Sequence, residues 1–376
     1  MRICSRCMMD ETVSEIIFDE NGVCQYCKMH DRLNELYPLN EEGKKAFEKL
    51  IADVKESGKG KKYDCIMGVS GGTDSTFALY NAVKLGLRPL AVHLDNGWDS
   101  EIAVQNIKNA CKKLNVDLYT HVLDWEEFKN IQISFLKAST PDAEVPTDVA
   151  IMSVLIRVAG DEGVKYVLNG HSFRTEGISP LSWSCIDGKY IENVQKQFGK
   201  VKMKTFPNFL AKDLLYYTFV KGVKVVPFLN YYDYVKPKVK PFLTEELGWI
   251  DYGAHHHETY YTIFYHAFLL PQKFGIDKRK TEYSAMIREG LLTRDEAMAD
   301  FKNNPTEYDK RVVDYTIDKL GLTKDEFEKI YNYPVKSFKD YKTYFSTLQT
   351  FKKPIRMLVN MGLFPELLYM KYIGKD

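Results

Sequence analysis

A chain of 376 residues, 45% of them apolar, can bury a substantial core and exceeds one small domain, so two or three folded units are expected. Its 52 basic and 51 acidic residues leave a formal net charge of +1, which excludes a whole-chain basic field for capturing nucleic acid or an anionic membrane. The opening "MRICSRCMMDE" has no apolar signal core, and no apolar run is long enough to cross a bilayer, so a cytoplasmic location without membrane insertion is expected.

Cys4, Cys7, Cys24 and Cys27 form two CxxC pairs within the first 27 residues, with a strand-like "EIIFD" and an "ENG" turn between them. That spacing matches a zinc ribbon, in which each pair forms a knuckle on one side of a tetrahedral ion. Four thiolates close the coordination shell, so a structural Zn2+ is expected. Metal-free thiols in a flexible tail, or a redox-active or iron–sulfur centre, are the alternatives. The other cysteines, Cys65, Cys111 and Cys185, are scattered, and an odd total of seven argues against a disulfide framework.

Residues 41–57 carry apolar side chains at Phe47, Leu50, Ile51 and Val54, a helical stripe that ends at "GKGKK". Thereafter strand-like runs at 63–69, 88–94, 116–123 and 164–170 alternate with the helical stretches "TFALYNAVKLG", "EIAVQNIKNACKKLN" and "DVAIMSVLIRVAGDEG". This alternation implies an α/β fold with a parallel sheet covered on both faces, whose ligands sit beyond the carboxyl ends of the strands. From about Tyr216 the chain turns aromatic-rich and helical. "FLNYYDYVKP" reads as a loop or short strand, and "HHHETYYTIFYHAFLLPQKFG" as a helix stopped by Pro271 and Gly275. Thr293 with Glu296, and Thr323 with Glu326, stand at capping-box spacing. The aromatic residues fit a core better than a stacking platform, and this region could host a homodimer contact. The basic stretches "KGKK" and "VKPKVK" read as solvated surface loops. The expected organisation is a ribbon at 1–40, a linker helix at 41–62, a parallel-sheet domain at 63–215 and a mainly helical substrate or assembly region at 216–376.

The stretch "SGGTDS" (Ser70, Gly71, Gly72, Thr73, Asp74, Ser75) follows the first strand and opens a helix. There the backbone N–H groups of the loop and helix start converge, an arrangement that binds phosphate. Gly71 and Gly72 permit close backbone approach, Ser70 and Ser75 can donate to phosphate oxygens, and Asp74 can cap the helix or hold Mg2+ on a nucleotide. Neither GxxxxGK[ST] nor GxGxxG occurs anywhere in the chain. The full SGGxDS at a strand-to-helix junction resembles the PP-loop of ATP pyrophosphatases, which cleave ATP between its α and β phosphates and transfer AMP to an oxygen. The resemblance implies a Rossmann-like, adenine-nucleotide-hydrolase-type domain that binds ATP with Mg2+. Two further strand ends agree with it: Asp95 and Asn96 in "VHLDNGW", and Gly170 and His171 in "LNGHS". Taken singly, Asp95 and His171 read equally well as satisfied loop residues.

Within that superfamily, tRNA thiolases and small-molecule amidotransferases are the classes to weigh. The parallel-sheet domain lacks a CxxC of its own, and the near-neutral charge suits tRNA poorly. "YGAHHHET", "LLPQKFGIDKRK" and "REGLLTRDEAM" closely resemble the N-acetyl sugar amidotransferases of bacterial surface-polysaccharide and flagellar-glycan pathways. These convert an acetamido group to an acetamidino group. The likeness spans essentially the whole chain, although His255 stands where the family pattern has a lysine. It implies His256 and Glu258 as catalytic beside Asp74. It also makes Lys278, Arg279 and Lys280 candidates to bind phosphate or the sugar's nucleotide carrier; an exposed helix start is the plainer reading of those three. The implied partners are a UDP- or CMP-linked acetamido sugar, or a free nonulosonic acid, and a separate glutaminase complex that supplies ammonia. A PP-loop tRNA thiolase is the alternative, and a nucleotide-responsive scaffold a third reading.

Overall fold

The computed structural model describes residues 2–253 and 258–374. Five short apolar runs form the strands β1 (Cys65–Gly68), β2 (Pro89–Asp95), β3 (Leu118–Val122), β4 (Tyr166–Asn169) and β5 (Lys224–Pro227). They pair in the order β3-β2-β1-β4-β5, and every pairing is parallel. The chain steps outward from β1 through β2 to β3, then returns to the other side of β1 for β4 and β5. The order therefore reverses between β1 and β4, and a crevice opens there at the carboxyl ends of both strands.

Seven helices set up the rest of the argument: α1 (Gln25–Leu36), α2 (Glu41–Ser57), α3 (Thr73–Lys84), α4 (Glu101–Leu114), α5 (Trp125–Ala138), α6 (Val145–Asp161) and α7 (Gly188–Phe198). Each starts where the local chemistry allows. Asn40 caps α2 by accepting the N–H groups of Glu42 and Gly43, Ser100 caps α4, and Asp124 caps α5. Alternation along β1 divides the core: Cys65 and Met67 face Ile51 and Val54 of α2 and Leu79 of α3, while Ile66 faces Val154 and Leu155 of α6. Both faces of the sheet are thus covered, as a parallel sheet requires. Val313, Ile317 and Phe327 from the helical C-terminal region join the same core as α6 and the ribbon cysteines. Among the described residues, no helix is long and apolar enough to cross a membrane.

Three expectations change. β5 lies beyond residue 215, inside the stretch expected to be mainly helical, because Lys224 to Pro227 pair with Tyr166 to Asn169 and extend the sheet. "EIIFD" makes only an isolated bridge, Phe18 with Cys24, since the metal-site knuckles leave no room for a longer ladder. Pro271 does not stop its helix. The chain runs from Tyr260–Ile263 through a π turn, Phe264–Leu269, into Leu270–Phe274, and ends at Gly275 with φ 65°. The wide turn accommodates the N–H that proline lacks.

Candidate active site

The loop at 70–75 sits at the mouth of the crevice, and its shape is fixed from behind. Gly71 has φ +78°, and a Cβ there would come within 2.3 Å of the Ala103 carbonyl oxygen, so only glycine fits. That conformation turns the Gly71 carbonyl away from the cradle, where it accepts from Trp249 Nε1 at 2.9 Å and Asn106 Nδ2 at 3.2 Å. The Ser70 N–H donates to Ser75 Oγ at 3.2 Å, and the Gly72 N–H to Ser70 Oγ at 3.3 Å. Gly72 is the cap residue of α3, so the positive end of that helix faces the loop. Gly170, at the end of β4, approaches the same turn so closely that a Cβ would lie 3.3 Å from Ser75 Cα.

Asp74 and Lys236 form the charged heart of the site. Lys236 Nζ lies 2.8 Å from Asp74 Oδ2, and the Tyr234 hydroxyl donates to Asp74 Oδ1. Burial raises the Asp74 carboxyl, and the adjacent ammonium and phenol only partly offset it. His171 Nδ1 meets Glu176 Oε2 at 2.7 Å; burial lowers the imidazole, but Glu176 and Asp74 outweigh it and hold it above its usual value. Lys236 was hidden in "VKPKVK", read above as a surface loop, yet its side chain is only 17% exposed. The available signal is its place at the start of a helix, Lys236–Leu247, with proline in the first turn.

Glu258 reaches the loop from the distant C-terminal half. Its carbonyl accepts the Ser100 N–H at 2.8 Å, Thr259 bridges Asp99, and the Tyr260 N–H donates to the Trp98 carbonyl at 3.0 Å. The Glu258 carboxylate accepts from the Tyr252 hydroxyl at 2.8 Å and touches the Gly72 Cα side of the cradle, where a Cβ would lie 2.4 Å from Oε1. An anionic group therefore stands at the N-terminal end of α3. His256, named with it as catalytic, lies outside the described residues, as does His255.

The remaining candidates divide. Asp95 and Asn96 are at the end of β2, where their carboxamide and carboxylate oxygens accept the Trp98 and Gly97 N–H groups at 3.1 and 2.9 Å and shape the turn. Arg279 is not aimed at the crevice: it holds Asp277 at 2.6 Å and lies over the Phe301 ring. Lys280 binds Asp10 at 2.8 Å and so ties the ribbon down. Of the three basic residues, Lys278 alone turns inward, to His266 Nε2 at 3.0 Å.

The four cysteines of the ribbon are fully buried, with all ligand atoms within 4.8 Å of one another. Three sulfur pairs stand at 3.7–3.8 Å. Sulfurs placed ~2.3 Å from one central ion in a tetrahedron are ~3.8 Å apart, so the set fits a single metal ion. Arg288 donates to the sulfurs of Cys7 and Cys27 at 3.2 Å, which offsets thiolate charge.

Residues 258–354 match the C-terminal domain of WbpG-like LPS biosynthesis proteins. A curated relative, the uncharacterised protein MJ1599 of Methanocaldococcus jannaschii, is 30% identical over 171 residues, which is 45% of this chain. The chain spans 58% of the length of that relative. Among solved structures, the U34-tRNA thiolase NcsA of Methanococcus maripaludis with its 4Fe-4S cluster is 14% identical and aligns over 89% of this chain and 90% of its own, with a TM-score of 0.31. The NH3-dependent NAD synthetase of Campylobacter jejuni is 17% identical over 41% of this chain and 72% of its own, with a TM-score of 0.28. Neither likeness carries an assignment. The WbpG-like region begins at Glu258, the residue that lies against the phosphate-type loop.

One buried carboxyl, Glu144 at the start of α6, carries a pH signature. Burial, and then Asp148, push Glu144 up to about 8, against the opposing pull of Lys278 and Thr262. In the unfolded chain the carboxyl loses its proton near pH ~4.5. Its contribution is complete below that pH and is lost as pH rises through about 8. Glu144→Gln, which stays neutral, is therefore expected to melt higher than wild type at pH 8.5, by roughly 3–4 kcal/mol in stability, and to converge with it near pH 4.5. Calorimetry across that range checks the difference, and parallel curves would remove the buried titration.

Proposed function

We propose that the chain is an ATP-dependent, AMP-forming N-acetyl sugar amidotransferase that converts an acetamido group to an acetamidino group in surface-glycan biosynthesis. The observation that carries this reading is the contact between the two halves. The WbpG-like region starts at Glu258, and Glu258 sits on Gly72 of the SGGTDS loop. Nucleotide chemistry and sugar recognition thereby share one crevice.

The amide oxygen of the sugar attacks the α-phosphorus of ATP and pyrophosphate leaves. Ammonia then adds to the O-adenylated carbon, and AMP departs with the former carbonyl oxygen. The α3 N-terminus, the Ser70 and Ser75 hydroxyls and the Gly72 and Thr73 N–H groups receive phosphate oxygens. Lys236 exchanges its partner Asp74 for phosphate, and Asp74 and Glu258 are the carboxylates suited to hold magnesium, which offsets phosphate charge when bound. His171, Asp95, Asn96 and Gly170 line the nucleotide crevice. Glu258 with His256 serves the attacking nitrogen by taking its proton. The four-thiolate site holds zinc in a structural role, and ammonia comes from a separate glutaminase.

Purified protein with ATP, magnesium, heavy-nitrogen ammonium and a panel of UDP- and CMP-linked acetamido sugars and free nonulosonic acids tests the reading by mass spectrometry. One sugar is expected to take up the heavy nitrogen with matching AMP and pyrophosphate. If no sugar changes while tRNA is thiolated with a sulfur donor, the thiolase reading replaces it.

A further inference from the structure

A set of polar groups around the start of α6 takes no part in the steps above; Glu144 and Tyr261 in it are buried, and Asp148 is exposed. Glu144 caps the start of α6 and Asp148 stands in its first turn. From the C-terminal half come Tyr261, Thr262, His266 in the π turn, and Lys278. Thr262 Oγ1 donates to Glu144 Oε2 at 3.4 Å, a long contact. Glu144 Oε1 and the Tyr261 hydroxyl have no hydrogen-bond partner among the described residues, although Glu144 is 9% exposed and Tyr261 only 1%. A buried polar atom left without a partner forfeits its hydration with nothing in return. Glu144 acts electrostatically on Tyr261, and Thr262, the next residue, reaches Glu144, so both unpaired groups belong to one neighbourhood that a polar guest would satisfy.

We infer that Glu144, Tyr261 and Lys278 form the binding pocket for the acceptor sugar, taking its hydroxyl and acetamido groups; this rests on the function proposed above. The charge pattern selects that chemistry over two others. Lys278 and Lys371 both act on Asp148, so a cation is opposed by two ammonium groups. Glu144 and Asp148 oppose a phosphate. Neutral hydroxyl and amide groups satisfy a site in which carboxyl, phenol and ammonium alternate. The pocket also connects to the nucleotide. Asp148 feels the field of His171, and His171 that of Asp74; Asp148 is exposed and the His171 side chain is 38% exposed, so this end opens to solvent. The WbpG-like residues Tyr261, Thr262, His266 and Lys278 thus form one wall, and α6 of the nucleotide domain the other.

Saturation-transfer NMR on the full chain, with a non-hydrolysable ATP analogue and magnesium present, reads binding of UDP-N-acetylglucosamine, CMP-N-acetylneuraminate and free N-acetylneuraminate. At least one probe is expected to bind wild type. Glu144→Gln and Glu144→Ala are expected to weaken it tenfold or more and Tyr261→Phe about threefold, with ATP-analogue affinity and melting temperature at pH 7 not lowered. Sugar binding undiminished in both Glu144 variants overturns this assignment and leaves the proposed function standing. No probe binding to wild type, with the analogue bound, overturns the proposed function and this pocket with it.

Discussion

Asp74→Asn protein is expected to fold and to release pyrophosphate at a rate lower by ~10²-fold or more, the usual loss when one organised electrostatic group leaves a water-poor site. The carboxyl is held by the Tyr234 hydroxyl and by Lys236 at 2.8 Å, and the amide keeps the first contact while losing the ion pair. Burial already disfavours the charge on Asp74, so the neutral isostere relieves a desolvation cost. Lys236 retains solvent access and sits in the field of Glu176, which limits the stability loss to about 1–2 kcal/mol, below that of a fully buried ion left alone. Activity falls because the carboxylate at the cradle and the aim of Lys236 are lost together. A coupled pyrophosphate assay beside a melting curve separates these effects. Normal turnover in a folded variant would move the ATP chemistry away from the loop.

The loop itself was legible because its pattern is local. The pattern sits within six residues, Ser70 and Ser75 bond each other and the loop backbone, and the strand before and the helix after have clear periods; the contacts of Gly71, Gly72 and Asp74 with Ala103, Glu258 and Lys236 come from afar. The four-cysteine set was legible for the same reason. What escaped notice depends on long-range approach. Lys236 reads as one more lysine in a basic loop, whereas the chain beyond β5 returns to open a helix there and sets it against Asp74; β5 is itself an edge strand with Lys224 and Val225 exposed. Glu144 and Asp148 lie in a helix start where carboxylates are ordinary. Glu144 is buried and meets Thr262 just ahead of the π turn, whereas Asp148 stays exposed. For Arg279 and Lys280 a run of basic residues suggests anion binding, but Arg279 pairs with its near neighbour Asp277, and Lys280 with Asp10, a partner that only the seating of the ribbon supplies. The capping boxes at Thr293 and Thr323 formed as their spacing dictates.

Cys4→Ser protein is expected to lose its metal and a large share of its stability, on the order of 5 kcal/mol. Structural metal binding contributes ~10–16 kcal/mol in small zinc domains, against ~5–15 kcal/mol of total stability for a folded domain. The ribbon matters because it is wedged between remote parts of the chain. At one end Arg288 donates to Cys7 and Cys27, Arg294 to the carbonyls of Cys4 and Cys7, and Lys280 to Asp10. At the other, His30 and Asn34 hold Glu289 at 2.6 and 3.0 Å, and Glu289 holds Arg174 at 3.0 Å. Burial works against the Glu289 carboxylate, but His30, Asn34 and Arg174 bring it down to about 2, so this clamp stays charged at neutral pH. Arg174 belongs to the loop that carries His171 and Glu176. Metal loss therefore loosens the crevice from the rear, without removing any group that touches nucleotide. Zinc content, the melting temperature with and without chelator, and KM for ATP measured below the lowered melting point together test the role. A structural metal predicts lost zinc, a lower melting temperature and an ATP KM within about threefold of wild type. A metal-free wild type as stable as the loaded protein would end the argument for a structural ion, and an iron-dependent absorbance of the purified protein would assign the four thiolates to a cluster instead.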